Sequence, residues 1–189
     1  MKTAKIVLLG EASVGKTSLF KQFQGNKYQL YEKTTLDTSH AEKIFDVNNQ
    51  KLKIQLWDTA GQEKYSQFMA MYYRKSKAII FILDANINQS IDKTIELMKE
   101  ILNHDQNKAL YYVVCNKIDL VEEYQIKYIR DKFKKSQNIN FEQIFFVSAK
   151  NQTGLTEMWQ QIAEKIEPIS ESVQMQDIFQ IDTPKQKCC

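Results

Sequence analysis

The chain is 189 residues long, with 43% hydrophobic and 26% charged residues, values typical of a folded protein with one compact domain. Its formal net charge is +3, from 26 basic and 23 acidic side chains, which gives no reason to expect a nucleic-acid-binding protein. No apolar run approaches the length of about 18 residues that a membrane-spanning helix needs, and no signal-peptide pattern follows Met1, so we expect neither feature.

The first half of the chain predicts a strand, a helix and a hairpin. Residues 5–9, Lys-Ile-Val-Leu-Leu, form a short and mostly apolar run that is followed by Gly10, the pattern of a strand buried on both faces. A helical pattern follows over about 15–24. Apolar and polar residues then alternate over 44–47 and 52–57, and the asparagine pair between them predicts the turn of a hairpin.

The second half alternates strands with helices. Apolar runs and helical periodicity predict three strand–helix pairs, over 78–83 and 90–102, 110–115 and 122–135, and 144–147 and 155–167. This alternation indicates an α/β fold with a mostly parallel sheet and helices on both faces, to which the hairpin adds one antiparallel edge strand. From Pro168 onward the periodicity is lost, so we expect a domain of residues 1–167 and a flexible tail of residues 168–189.

Residues 10–17, Gly-Glu-Ala-Ser-Val-Gly-Lys-Thr, match the phosphate-binding pattern G-x-x-x-x-G-K-S/T between a predicted strand and a predicted helix. The backbone N–H groups of such a loop surround a phosphate, and the helix N-terminus favours an anion. We expect Lys16 to reach the terminal phosphates and the Thr17 hydroxyl to bind Mg²⁺. A chance glycine loop is the alternative, which this setting disfavours. The predicted phosphate-loop contacts are Ala12, Ser13, Val14, Gly15, Lys16, Thr17 and Ser18.

A second candidate segment follows the strand predicted over 52–57. Asp58 ends that strand, and its carboxylate can hold Mg²⁺ through water. Gly61 lets a backbone N–H approach a γ-phosphate closely, and Gln62 can orient an attacking water. Alone, the Asp-Thr-Ala-Gly run at 58–61 is a weak signal that is also consistent with a strand-ending turn, but behind a phosphate loop at this distance the signal is strong. ATPases, kinases and GTPases all carry phosphate loops, so the base-binding residues decide between these classes.

A base-binding pocket is predicted from two segments, Asn-Lys-Ile-Asp at 116–119 and Ser-Ala-Lys at 148–150. The Asp119 carboxylate can accept hydrogen bonds from N1–H and N2–H₂ of guanine. Adenine lacks these donors, so such a site rejects it by roughly 10⁴-fold. Asn116 can brace the loop, the Lys117 stem can lie across the base, and the Ala149 N–H can donate to guanine O6. The predicted base contacts are Asn116, Lys117, Asp119, Ser148, Ala149 and Lys150.

These segments together resemble the Ras superfamily of small GTPases. The runs at 58–63 and 71–74 and the terminal cysteine pair resemble its Rab family, and 34–36 and 71–74 most resemble the early-endosomal branch. The resemblance covers about residues 4–167 and the terminus. It implies a six-stranded, doubly wound P-loop G domain that binds GTP and GDP with Mg²⁺ and hydrolyses GTP.

The resemblance also implies roles for particular residues. Tyr28 is placed against the guanine, and Thr35 joins Thr17 and Asp58 around Mg²⁺ and contacts the γ-phosphate in the GTP state only. The implied catalytic residues are Lys16, Thr35 and Gln62. Hydrolysis would release the contacts that Thr35 and Gly61 make, and the loops at about 30–40 and 60–75 would relax.

Family membership further implies a monomeric, membrane-recruited switch in vesicle traffic. The implied location is the cytoplasmic face of intracellular, endosomal membranes, with a cytosolic pool. The implied partners are an exchange factor, a GTPase-activating protein (GAP) that supplies an arginine finger, a GDP-dissociation inhibitor, a Rab escort protein and effectors. Cys188 and Cys189 would carry geranylgeranyl groups, and two lipid chains give lasting attachment. The remaining cysteine, Cys115, is expected in the core.

Three residues depart from the family pattern. Ala12 stands where many relatives carry glycine, and its methyl group is expected to slow GAP-stimulated hydrolysis. Asp37 also replaces a glycine. His40 replaces the phenylalanine that would join Trp57 and Tyr72 in an effector-binding triad. One hypothesis is that His40 makes effector binding pH-sensitive, since imidazoles titrate near neutral pH; the alternative is a polar side chain at a strand edge.

Two other function classes stay open on the sequence alone. A P-loop nucleotide kinase would need an arginine-rich lid, and the chain has only Arg74 and Arg130. A GTP-binding scaffold with very slow hydrolysis is consistent with Ala12, although Gln62 argues against it.

Overall fold

The computed structural model describes residues 1–26, 39–59, 72–104, 109–136 and 139–166. Within these ranges the chain forms six strands and four helices. In chain order they are β1 (Lys2–Leu9), α1 (Lys16–Phe23), β2 (Ser39–Val47), β3 (Gln50–Asp58), β4 (Ala78–Asp84), α2 (Asn88–His104), β5 (Leu110–Asn116), α3 (Glu123–Lys135), β6 (Gln143–Phe146) and α4 (Leu155–Lys165), with a 3₁₀ turn at Ile118–Leu120.

The six strands form one sheet in the order β2-β3-β1-β4-β5-β6. All neighbouring pairs are parallel except β2 and β3, which are antiparallel. β2 is therefore an antiparallel edge strand on an otherwise parallel sheet. The predicted α/β class, the six strands and the single antiparallel edge strand are confirmed.

Helices cover both faces of the sheet, and alternate residues of β1 point to opposite faces. Ile6 and Leu8 belong to a core that includes buried residues of α1 and α4. Val7 and Leu9 belong to a second core, which includes buried residues of α2 and α3. Because β1 contributes to two cores, it needs apolar residues at consecutive positions, which explains the uninterrupted run in the sequence.

The predicted hairpin is present and closes through a two-residue turn. Asn48 and Asn49 both have positive φ, 49° and 61°, and they connect paired residues Val47 and Gln50. Asparagine tolerates this left-handed conformation, and two such residues match the twist of the flanking strands. The pairing continues to Ser39, so β2 is longer than the predicted 44–47.

Most other element boundaries agree within a few residues. β1 begins at Lys2 rather than residue 5, because its polar start pairs with β3 from Leu52 onward. α3 begins at Glu123 with a capping box between Glu122 and Gln125. α4 ends at Lys165, while the proposed domain boundary at 167 and the tail lie outside the described residues. In the part of the chain that the structure describes, no helix is both long and apolar enough to span a membrane.

Candidate functional site

The carboxyl ends of the parallel strands bring the predicted site segments to one edge of the sheet. β1 leads into the phosphate loop, and β3 ends at Asp58. β5 ends at Asn116, which pairs in register with Asp84 at the end of β4. Ser148 follows β6 by two residues. Ligands of open α/β sheets bind at this edge, so the topology gathers residues that are far apart in sequence.

Two glycines of the phosphate loop are required by its conformation. Gly10 has φ of 146°, and a Cβ added there would lie 2.2 Å from the carbonyl oxygen of Ile82. Gly15 has φ of 98° and is the N-cap of α1. Ser13 between them also has a positive φ, 66°. The loop is thus held in a backbone shape that places it against β4 and opens at the start of a helix.

Lys16 lies inside this loop and is only 5% exposed. Its Nζ donates hydrogen bonds to the carbonyl oxygens of Gly10 and Glu11, the latter 2.8 Å away. The ammonium is therefore held by the backbone of the loop itself, at the start of α1. An anion in the loop would exchange these carbonyl contacts for stronger charge-assisted bonds.

Asn116 joins the phosphate loop to the Ser-Ala-Lys segment. It is 1% exposed, its Nδ2 donates to the Val14 carbonyl at 3.0 Å, and its Oδ1 accepts from the Ala149 N–H at 3.0 Å. The expected bracing by Asn116 is therefore observed. The same bond occupies the Ala149 N–H, so donation to a guanine O6 requires this bond to be shared or exchanged.

The Asp119 carboxylate is held by the segment that follows β6. Ser148 donates its hydroxyl to Asp119 Oδ1 at 2.6 Å, and the Lys150 ammonium lies 3.8 Å from Oδ2. Ser148 Oγ in turn accepts the Asn151 N–H at 3.1 Å. These contacts fix the direction of the carboxylate oxygens, which can accept hydrogen bonds from two neighbouring N–H donors.

Lys117 has a positive φ of 64° and connects two segments through its ammonium. Its Nζ lies 2.7 Å from the Ser13 carbonyl oxygen and 2.7 Å from Asp84 Oδ2. The sequence-based prediction missed Asp84, which is buried at the end of β4. Its signal was present, since Asp84 follows an apolar strand in the same way as Asp58 does.

Asp58 ends β3 with both carboxylate oxygens excluded from solvent, and the whole residue is 1% exposed. The next residue, Thr59, donates its hydroxyl to the Leu8 carbonyl at 2.9 Å, which ties the end of β3 to β1. Among the described residues no three His, Cys, Asp or Glu side chains gather as a metal cage. The Asp58 carboxylate and the Thr17 hydroxyl still suit Mg²⁺, because this ion is commonly held by one or two carboxylates together with substrate phosphates and water.

Two members of the proposed effector triad are in contact. The rings of His40 and Trp57, paired across β2 and β3, stack with centroids 5.2 Å apart. The Lys5 ammonium lies 5.0 Å from the Trp57 ring centroid, and its burial lowers the pKa of Lys5 to about 8. Tyr72, the third predicted member, is half-buried.

Other predicted positions fall outside the described residues. They are Tyr28, Thr35, Asp37, Gly61, Gln62, Cys188 and Cys189. Cys115, which was expected in the core, is fully buried in β5 and confirms that prediction. Arg130, one of the two arginines of the chain, packs its guanidinium 4.8 Å from the Phe146 ring centroid.

Known proteins with similar sequences are Ras-related. The Ras family profile matches residues 5–168. The chain is 32% identical to the Ras-related protein Rab-21 of Geodia cydonium, over 86% of this chain and 70% of that protein. It is 31% identical to human Rab-30, over 95% and 87% of the two chains, and 30% identical to Rab-5A of Dictyostelium discoideum, over 98% and 94%.

Proposed function

Since the chain belongs to the Rab family of Ras-related small GTPases, we propose that it is a GTP-operated switch of endosomal membranes. It binds guanine nucleotides, hydrolyses GTP and acts in membrane trafficking, as its family does. The observation that best supports a nucleotide site at these residues is the pair of hydrogen bonds made by Asn116. Its side chain bonds Val14 in the phosphate loop and Ala149 in the Ser-Ala-Lys segment.

Guanine is selected in this proposal by Asp119. Its carboxylate accepts two hydrogen bonds from guanine, while Ser148 and Lys150 hold it in place. Adenine would leave this carboxylate without a donor, so ATP is excluded. The Lys117 stem forms one wall of the base site, and Tyr28 is proposed as a contact on the guanine.

Mg²⁺ is proposed to bind Thr17 and Asp58, with Thr35 added in the GTP state. When bound, the ion neutralises charge that develops on the β- and γ-phosphate oxygens. Asp58 suits this role because its carboxylate is buried at the end of β3, at the same sheet edge as the phosphate loop.

For hydrolysis, Lys16 holds the terminal phosphates, and Gln62 is proposed to orient the attacking water. Gly61 is proposed to sense the γ-phosphate through its backbone N–H. A GAP supplies the arginine that the site lacks in cis. Ala12 is exposed at the start of the left-handed turn at Ser13, where a methyl group would crowd an incoming arginine.

The scaffold alternative, with scarcely any hydrolysis, rests on this same methyl group. The GTP-hydrolysing switch and the scaffold are separated by measuring single-turnover GTP hydrolysis of the wild type and of Ala12→Gly, each alone and with a Rab GAP. A GAP-stimulated rate that rises in Ala12→Gly supports crowding by Ala12. Equal rates reject the crowding, and a wild type that does not hydrolyse GTP even with GAP supports the scaffold.

The effector surface is proposed to comprise His40, Trp57 and Tyr72. His40 stacks on Trp57, so a partner meets an imidazole where relatives carry an apolar ring. The pH-sensitive effector binding proposed for His40 is rejected if effector affinity is unchanged between pH values of about 5.5 and 7.5.

Membrane recruitment is proposed to depend on geranylgeranyl groups on Cys188 and Cys189, with a GDP-dissociation inhibitor and a Rab escort protein as carriers. Imaging of the tagged chain beside a double variant, Cys188→Ser with Cys189→Ser, tests this. We expect the wild type on endosomal membranes and the double variant in the cytosol. A double variant that stays on membranes would refute the lipid anchor, and wild type on another organelle would refute the endosomal assignment.

A further inference from the structure

Asp84, the last residue of β4, is a buried residue whose carboxylate has polar contacts with both Lys117 and Asn86. It is 4% exposed, and its Oδ2 lies 2.7 Å from the Lys117 ammonium. Its Oδ1 accepts the Asn86 N–H at 2.9 Å, and its own N–H donates to Ser90 Oγ at 3.1 Å. A buried charge is tolerated only when it is paired and hydrogen-bonded, and here Lys117 supplies the counter-charge.

The Lys117 ammonium bridges three segments of the site. Besides Asp84, it contacts the carbonyl oxygen of Ser13 at 2.7 Å, within the phosphate loop. Asp84 lies at the end of β4, Lys117 follows β5, and Ser13 follows β1. The Lys117 side chain thus connects the Asn-Lys-Ile-Asp segment to the phosphate loop, and the Asp84 carboxylate sets the direction of its ammonium.

We propose that Asp84 is a positioning residue that retains bound guanine nucleotide by holding the Lys117 side chain in place along the base site. This inference rests on the proposed function, in which the Lys117 stem lies across the guanine. A lysine side chain has large rotamer freedom, and a single carbonyl contact restrains it weakly. The charge-assisted bond to Asp84 is the stronger restraint, so its loss frees the stem and opens the base site.

A purely structural role for Asp84 is the competing explanation. The bonds to Asn86 and Ser90 close the turn after β4, and their loss would loosen this turn without any direct effect on Lys117. Ser90→Ala provides a matched control, because it removes the acceptor of the Asp84 N–H and leaves the carboxylate and Lys117 intact. Asp84→Glu is the conservative variant that retains the charge.

The experiment measures release of a fluorescent GDP analogue from the full chain in Mg²⁺ buffer, together with the unfolding temperature at saturating GDP. We expect Asp84→Asn to release the analogue about tenfold faster than the wild type, as the loss of a charge-assisted bond predicts. Asp84→Glu should restore slow release at least in part. Ser90→Ala should lower the unfolding temperature without this acceleration.

Unchanged release in Asp84→Asn, or equal acceleration in Ser90→Ala and Asp84→Asn, would overturn the positioning role alone. No rescue by Asp84→Glu, with unfolding temperatures lowered equally in both Asp84 variants, would also overturn it. A wild-type chain that binds no GDP would instead overturn the proposed function, and this inference with it.

Discussion

Asn116 occupies the space that a side chain at residue 15 would need. A Cβ built on Gly15 would lie 2.3 Å from Asn116 Nδ2, the atom that donates to the Val14 carbonyl. The glycine therefore does more than allow the φ of 98° at the start of α1. It leaves room for the Asn116 side-chain amide, which joins the phosphate loop to the Ser-Ala-Lys segment. The phosphate-binding and base-binding parts of the site therefore depend on each other.

Gly15→Ala should abolish tight binding of GDP. The added methyl group must displace Asn116, and this breaks the bonds to Val14 and Ala149. Gly25→Ala is the matched control, because Gly25 also has a positive φ, 84°, but nothing lies within 4 Å of an added Cβ. The control should lose only about 1 kcal/mol of stability and keep its affinity. Calorimetric titration with GDP checks both, and equal affinities for the two variants would contradict this prediction.

Asp119→Asn should change which base is bound. An amide presents one N–H₂ donor and one acceptor, so it loses one bond to guanine and places donor against donor. We expect guanine-nucleotide affinity to fall by about a hundredfold or more. Xanthine, with a carbonyl at C2, should bind better than it does to the wild type.

Competition of GDP and xanthosine diphosphate for a fluorescent analogue measures this change. Asp92→Asn, which removes a carboxylate paired with Lys132 on the surface at 2.6 Å, serves as the control. A GDP affinity that is equal in Asp119→Asn and in the wild type would remove Asp119 from the base site.

Lys5→Met should change the pH dependence of stability. Burial lowers the pKa of Lys5 to about 8 from an ordinary value of 10.5. Between these values the unfolded chain binds more protons at Lys5 than the folded chain does, so stability rises with pH in this window. The ammonium therefore destabilises the fold fully below pH 8, and this penalty is relieved as pH rises toward 10.5.

Urea unfolding at pH 7 and at pH 10 tests this sign. The free energy of unfolding of Lys5→Met, relative to wild type, should be more favourable at pH 7 than at pH 10. Lys2→Met is the control, since Lys2 is exposed on the same strand, and the change between the two pH values should be larger for Lys5→Met than for Lys2→Met. A constant difference for Lys5→Met would refute the effect of burial.

Cys115 should resist thiol reagents in the folded chain. It is fully buried in β5, and burial raises the pKa of its thiol, so little thiolate is available. In a variant with Cys188→Ser and Cys189→Ser, Cys115 is the one remaining cysteine of three. A chromogenic disulfide reagent at pH about 8 should label this variant only after unfolding in urea. Rapid labelling of the folded chain would show that the core opens at β5.

The sequence predicted the sheet well because its strongest signals are local. Uninterrupted apolar runs identified the buried parallel strands, and the asparagine pair identified the hairpin turn. Strand starts were less accurate at Lys2 and Ser39, since these positions are defined by pairing with β3 rather than by their own polarity. The phosphate-loop and base segments were found because each is a short motif beside a strand.

Contacts that depend on sheet register were harder to predict. Asp84 contacts Lys117, 33 residues later, only because β4 and β5 are neighbours with Asp84 opposite Asn116. The bond from the Ala149 N–H to Asn116 also joins residues that the neighbouring strands β5 and β6 bring together. The sequence analysis therefore expected that N–H to donate to guanine O6 and did not foresee that Asn116 also accepts from it. The stacking of His40 on Trp57 likewise follows from the register of β2 on β3.

Single-turnover hydrolysis most directly tests the central claim, that this site is a guanine-specific GTPase. The purified chain is incubated separately with GTP and with ATP in Mg²⁺ buffer, and phosphate release is followed with and without a Rab GAP. We expect slow release from GTP, faster release with GAP, and none from ATP because Asp119 excludes adenine. Equal release from both nucleotides, or none from GTP even with GAP, would contradict the account.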